Sequence, residues 1–125
     1  MGLSPVGTTT YNNSRCLEAV TMLGVIVTIS RYVSDSQPGW VECKLVDAHG
    51  SESTIIEKVP VVTLADLDAS SSYPQTGYIA CQVVERRVET NGAEVVTINI
   101  GSPWGVEDSS GKTQFDVFST QLTTL

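Results

Sequence analysis

From Val25 to Val117 the chain alternates short runs rich in Val, Ile, Thr and aromatic residues with glycine-containing turns. The first run, Leu23 to Val33, sets Val25, Val27 and Ile29 on one face and Ile26, Thr28 and Ser30 on the other, the period of a strand. Trp40 to Val46 alternates Val41, Cys43 and Leu45 with Glu42 and Lys44, then turns through Asp47-Ala48-His49-Gly50 into Thr54 to Val59. Pro60 cannot donate a ladder hydrogen bond, so it is expected to end that strand, with Val61-Val62 resuming it after a bend. Gly77 to Glu89 and Glu94 to Ile100 flank Asn91-Gly92, a dipeptide suited to a type I′ hairpin turn. Pro103 to Glu107 and Gln114 to Phe118 form a last hairpin around Ser109-Ser110-Gly111, and the polar tail, Ser119 to Leu125, is expected to fray.

Between Thr63 and Thr76 the period changes. Thr63 resembles an N-cap with Asp66 three residues on, predicting one or two helical turns over Leu64 to Ala69 with Leu64 and Leu67 turned inward. The expected fold is all-β: a small antiparallel barrel of about six strands, SH3-like or OB-like, with one short helix, a sandwich being the alternative. The domain is expected to span residues 23–122, after an N-terminal arm, 1–22, that is flexible or docked on a partner subunit.

Two strands are apolar on both sides. Ile79, Cys81 and Val83 share one face of the fourth run, Tyr78, Ala80, Gln82 and Val84 the other, and Val95 to Ile98 repeats the pattern. A second apolar face needs cover, which predicts a homo-oligomer, most simply a two-fold dimer.

Charge narrows the partners. Fourteen acidic residues against seven basic ones give a net charge of −7, which disfavours nucleic acid, whose binding rests on Lys and Arg. No run of 18 apolar residues predicts a membrane span, and residues 1–21 lack the apolar core of a signal peptide; a cytoplasmic protein is expected. The three cysteines, Cys16, Cys43 and Cys81, show no CxxC spacing, so free buried thiols are expected for the two that lie within strands.

Candidate chemistry is sparse. No metal-ligand spacing, cofactor motif or nucleophile context is present, and no catalytic residue is assigned. His49, the one histidine, reads as a solvated turn residue with Asp47 near enough in sequence to orient it. Glu42, Glu57, Glu107 and Asp116 read as outward-facing, salt-bridged positions. Trp40, Trp104 and Tyr73 sit at strand ends or in loops, where they are expected to plug the barrel; the alternative is that they line a pocket or interface, clustering with Glu57 or Glu107 at one end of the barrel as a site for a small organic or cationic ligand. The favoured function is a non-enzymatic barrel that self-assembles and binds a protein or small ligand; the alternative is a carboxylate enzyme using Glu57 or Glu107 with His49.

The segments Tyr32-Val33-Ser34-Asp35, Pro38-Gly39-Trp40-Val41-Glu42-Cys43, Glu57-Lys58-Val59-Pro60-Val61-Val62, Gly77-Tyr78-Ile79-Ala80-Cys81 and Pro103-Trp104-Gly105-Val106-Glu107 resemble a group of small bacterial all-β proteins of the kind carried on mobile gene cassettes. The resemblance covers Val25 to Leu122 and implies no activity and no functional residues.

Overall fold

The computed structural model describes residues 22–125, so most of the expected arm and Cys16 lie outside the described residues. In chain order the elements are β1 (Leu23–Ser34), β2 (Trp40–Val46), β3 (Glu52–Lys58), α1 (Val59–Val62), β4 (Gln75–Val88), β5 (Glu94–Asn99), β6 (Gln114–Phe118), a 3-10 turn (Ser119–Gln121) and β7 (Leu122–Thr124). The strands form one antiparallel sheet in the order β3-β2-β1-β4-β5-β6, with β7 paired to β1. The sheet curls into a half-barrel, the small all-β architecture expected.

β1 makes the curl possible. Its first residues, Leu23 to Val25, pair with β7, and Thr28 to Ser34 pair with β2 along the same edge. The opposite edge, Leu23 to Ile29, pairs with β4. Irregularities between Ile29 and Arg31 and between Tyr32 and Ser34 bend the strand between these partners, as bulges do.

The alternating apolar positions meet inside. Val25, Val27 and Ile29 of β1, Val41, Cys43 and Leu45 of β2, and Ile79 and Cys81 of β4 pack with Val96, Ile98, Phe115 and Val117. Both cysteines are free and buried. Burial pushes the Cys43 thiol up to about 12, with Glu57 and Glu42 adding to the rise, and the Cys81 thiol up to about 11.

Several local expectations are corrected. The helical turn is α1, not Leu64 to Ala69. Pro60 stands in its first turn, where its fixed φ suits a helix and its missing N–H costs nothing; the Thr63 amide closes the turn onto the Val59 carbonyl at 3.1 Å. Val61-Val62 therefore do not resume β3. Beyond Thr63, side chains compete for the backbone: Thr63 Oγ1 accepts from the Ala65 amide, and Asp68 Oδ1 from the Ser70 amide. Leu67 packs on the core but Leu64 is fully exposed.

The Asn91-Gly92 turn is not type I′, because among the described residues no non-glycine has a positive φ. The Glu89 and Ala93 backbones close instead around a three-residue loop, with Gly92 at φ +88°, the type I turn with a glycine bulge. Pro103 to Glu107 forms no strand; it belongs to the β5–β6 connection. The tail does not fray. Gln121 holds it by donating from Nε2 to the Val46 carbonyl and accepting the Phe118 amide at Oε1. Leu125 then lies over Gly24, where a Cβ would stand 2.7 Å from the leucine Cδ2.

Candidate functional site

Of the residues expected at one mouth of the barrel, Trp40 and Glu57 share a neighbour, Lys58. Trp40, the first residue of β2, pairs across strands with Lys58 of β3, and the Lys58 Nζ lies 5.1 Å from the centre of the indole ring. Glu57, 3.7 Å from the same Nζ, pairs with Val41 on the core side, its side chain 15% exposed. It is thus turned toward the interior, not outward as expected. Tyr32 pairs with Val41 from the other side. Its hydroxyl is pushed above the usual tyrosine range by burial, with Asp35, Asp68 and Tyr73 adding to the effect. Tyr73 packs on the core and donates its hydroxyl to the Asp68 carbonyl at 2.9 Å. A groove of about 350 Å³ runs between Gln37-Pro38 and the segment from α1 to Leu67.

Trp104 and Glu107 stand apart from this arrangement in their bonding. Both are exposed, Trp104 at 61%, on the β5–β6 connection. Among the described residues no hydrogen bond or ion pair joins either to Trp40, Tyr73 or Glu57. Lys58 also holds the face of Trp40 that a cationic ligand would use.

A second polar centre lies around Asp116 of β6. Its Oδ1 accepts from Thr97 Oγ1 at 2.6 Å, and its Oδ2 accepts from the Arg87 guanidinium at 3.0 Å and meets His49 Nε2 at 3.2 Å. Thr97 is the cross-strand partner of Asp116 on β5; Arg87 reaches over from β4 and also pairs with Glu89 at 2.9 Å. The Ala48 amide binds the Asp116 carbonyl at 2.8 Å, seating the β2–β3 turn against β6. The Thr97 hydroxyl first, then Arg87 and His49, hold the Asp116 carboxyl at about 2. A carboxylate so committed clamps β4, β5 and the β2–β3 turn onto β6; it has no proton to give at neutral pH.

His49 therefore turns to Asp116, not to Glu57 or Glu107. Nor does Asp47 orient the imidazole. Its Oδ1 accepts the His49 and Ser51 amides, each at 2.9 Å, and closes the turn. Asp108 repeats this arrangement, its Oδ1 accepting the Ser110 and Lys112 amides. Glu42 lies outward between Arg31 and Lys44, as expected, and the Arg31 guanidinium lowers its carboxyl.

The Asp116 centre escaped sequence reading because Arg87 and Asp116 are 29 positions apart. Only the β4–β5–β6 register brings them together, and no local motif marks it. Among the described residues, no group of three His, Cys, Asp or Glu side chains is placed to hold a metal. No helix of the described residues is long and apolar enough to cross a membrane. Comparison with family models, curated proteins and solved structures finds no match to this chain.

Proposed function

We propose that this chain is a non-enzymatic binding module that self-associates through the outer face of β1 and β4 and takes a protein or small organic ligand at its α1 end. The observation that carries the reading is a strip without charge. Ile26 and Thr28 on β1, and Tyr78, Ala80, Gln82 and Val84 on β4, face outward with no Asp, Glu, Lys or Arg among them. Ile26 and Tyr78 pair directly across the strands; Ile26 is 38% exposed and Val84 53%.

Elsewhere the outer surface is charged. β2 and β3 carry Glu42, Lys44, Glu52 and Lys58, and β4 beyond Val84 carries Glu85, Arg86 and Arg87. Two copies of a chain of net charge −7 repel wherever charged faces meet, so the neutral strip is the surface on which a second copy docks at least electrostatic cost. A two-fold axis through it sets the strip against itself. Leu125 covers part of the strip near Gly24, which leaves the Ile26–Tyr78 pair and Val84 as the apolar contacts.

At the α1 end, Trp40, Tyr73 and Glu57 supply the ring and carboxylate groups for a ligand, and a cationic one displaces Lys58 from the indole. The cytoplasm fits the free thiols of Cys43 and Cys81. Light scattering on Ile26→Glu tests the self-association. The outward position tolerates the charge, so the variant keeps its far-UV circular dichroism and falls to monomer mass. A folded variant with the parent's oligomeric mass overturns the reading.

A further inference from the structure

We propose that the cavity between the β2–β3 turn and β6 is a second binding site, one that takes a small zwitterion carrying an ammonium and a carboxylate group. The cavity, of about 210 Å³, is lined by Asp47, His49, Thr97, Lys112, Gln114 and Asp116 around Phe115. That is below the roughly 300–1,000 Å³ of drug-sized pockets, so its ligand is small.

Two opposite charges on its wall form no ion pair with any described residue, although Lys112 acts at longer range on Asp108. Lys112 is the one Lys or Arg among the described residues with no carboxylate within ion-pair distance; Arg31, Lys44, Lys58, Arg86 and Arg87 each have one. Its Nζ rests 4.8 Å from the centre of the Phe115 ring. Asp47 is 9% exposed. Its Oδ1 is taken by two turn amides, while its Oδ2 accepts no hydrogen bond from any described residue. On a residue this buried, a carboxylate oxygen that lines the cavity wall without a protein donor is costly unless something fills the place. The other charges on the wall are matched, since Asp116 is bound by Thr97, Arg87 and His49.

Asp47 and Lys112 do not satisfy each other, because they form no ion pair across the cavity. A ligand bearing both charges satisfies both. Its ammonium donates to Asp47 Oδ2, and its carboxylate accepts from Lys112 Nζ, with the Gln114 amide and the His49 ring at the rim. A cation alone leaves Lys112 unmatched, and an anion alone leaves Asp47 unmatched. The site is also held in advance. Asp47 and the backbone of Lys112 belong to two turns closed by the same pattern of aspartate-capped amides, so little ordering is lost on binding.

Amide chemical shifts of the full chain, followed during titration with glycine, β-alanine and 4-aminobutyrate, test the proposal against the half-ligands acetate and methylammonium. At least one zwitterion is expected to bind saturably and at least tenfold more tightly than either half-ligand, moving the signals of residues 48–51 and 112–116. Lys112→Met keeps the aliphatic stem and lowers that affinity at least tenfold; Asp47→Asn, if folded, does the same. The proposal is overturned if no zwitterion exceeds the half-ligands, if the shifts fall elsewhere, or if Lys112→Met binds as the parent does. Solution mass reads the self-association separately, so failure of one reading leaves the other standing.

Discussion

Replacing Asp116 with asparagine removes the charge at the point where β6, β4, β5 and the β2–β3 turn meet while keeping the size of the side chain. The carboxyl drops from its ordinary 3.8 to about 2 in the folded chain. At about 1.4 kcal/mol per pH unit, that drop corresponds to roughly 2–3 kcal/mol of stability. The side chain is 28% exposed, and solvent screening reduces the figure to between about 1 and 2 kcal/mol. The sign follows from linkage: a carboxylate whose folded value is depressed contributes in full above its unfolded value and loses the contribution as the pH falls through the folded one. Urea unfolding of parent and Asp116→Asn, followed by circular dichroism, is therefore expected to differ by about 1–2 kcal/mol at pH 7. Most of the difference is gone by pH 2.5, because every other titrating group is common to both chains. Equal stability at pH 7, or a difference that stays constant down to pH 2.5, refutes the clamp.

Three further outcomes follow from the packing. Gly77→Ala places a Cβ 2.7 Å from the Val62 carbonyl oxygen and 2.8 Å from Ile29 Cδ1, so urea unfolding is expected to show a loss of about 1–3 kcal/mol; an unchanged midpoint contradicts the close seating of α1 on β4. Cys43 and Cys81, with thiols at about 12 and about 11, are expected to resist iodoacetamide at pH 8 until urea unfolds the chain. Peptide mass spectrometry showing rapid labelling of either in the native state contradicts their burial. Deleting Leu122 to Leu125 removes the β7–β1 pairing and the cover over Gly24. It is expected to lower stability by about 2 kcal/mol, the scale of one buried leucine, whereas a chain that melts unchanged has a frayed tail after all.

What the sequence disclosed follows the range over which its signals act. The alternation of Val25, Val27 and Ile29 and of Val41, Cys43 and Leu45 named the core side of β1 and β2, because a strand's two faces are set by neighbours two positions apart. Asn91-Gly92 marked a hairpin but not its turn type, since the closing pair, Glu89 and Ala93, depends on where the ladder ends. In the sequence Pro60 marks the end of a strand, yet the same fixed φ opens a helical turn, and Leu64, beyond that turn, is exposed. Tail residues 119–125 look polar, and only the carbonyl of Val46, 75 positions from Gln121, explains why they are held. The Asp116 centre and the unmatched pair Asp47 and Lys112 need the register of β4, β5 and β6 before they exist as sites. The Trp40–Lys58 pair across β2 and β3, with Glu57 next to it in the chain, was within reach of pattern reading; the separate place of Trp104 and Glu107 on the β5–β6 connection was not.

The solution mass of the full chain, measured by light scattering across a range of concentrations, tests the self-association most directly. A stable oligomer is expected, most simply of twice the 13.4 kDa of one chain. A mass of 13.4 kDa at every concentration contradicts it.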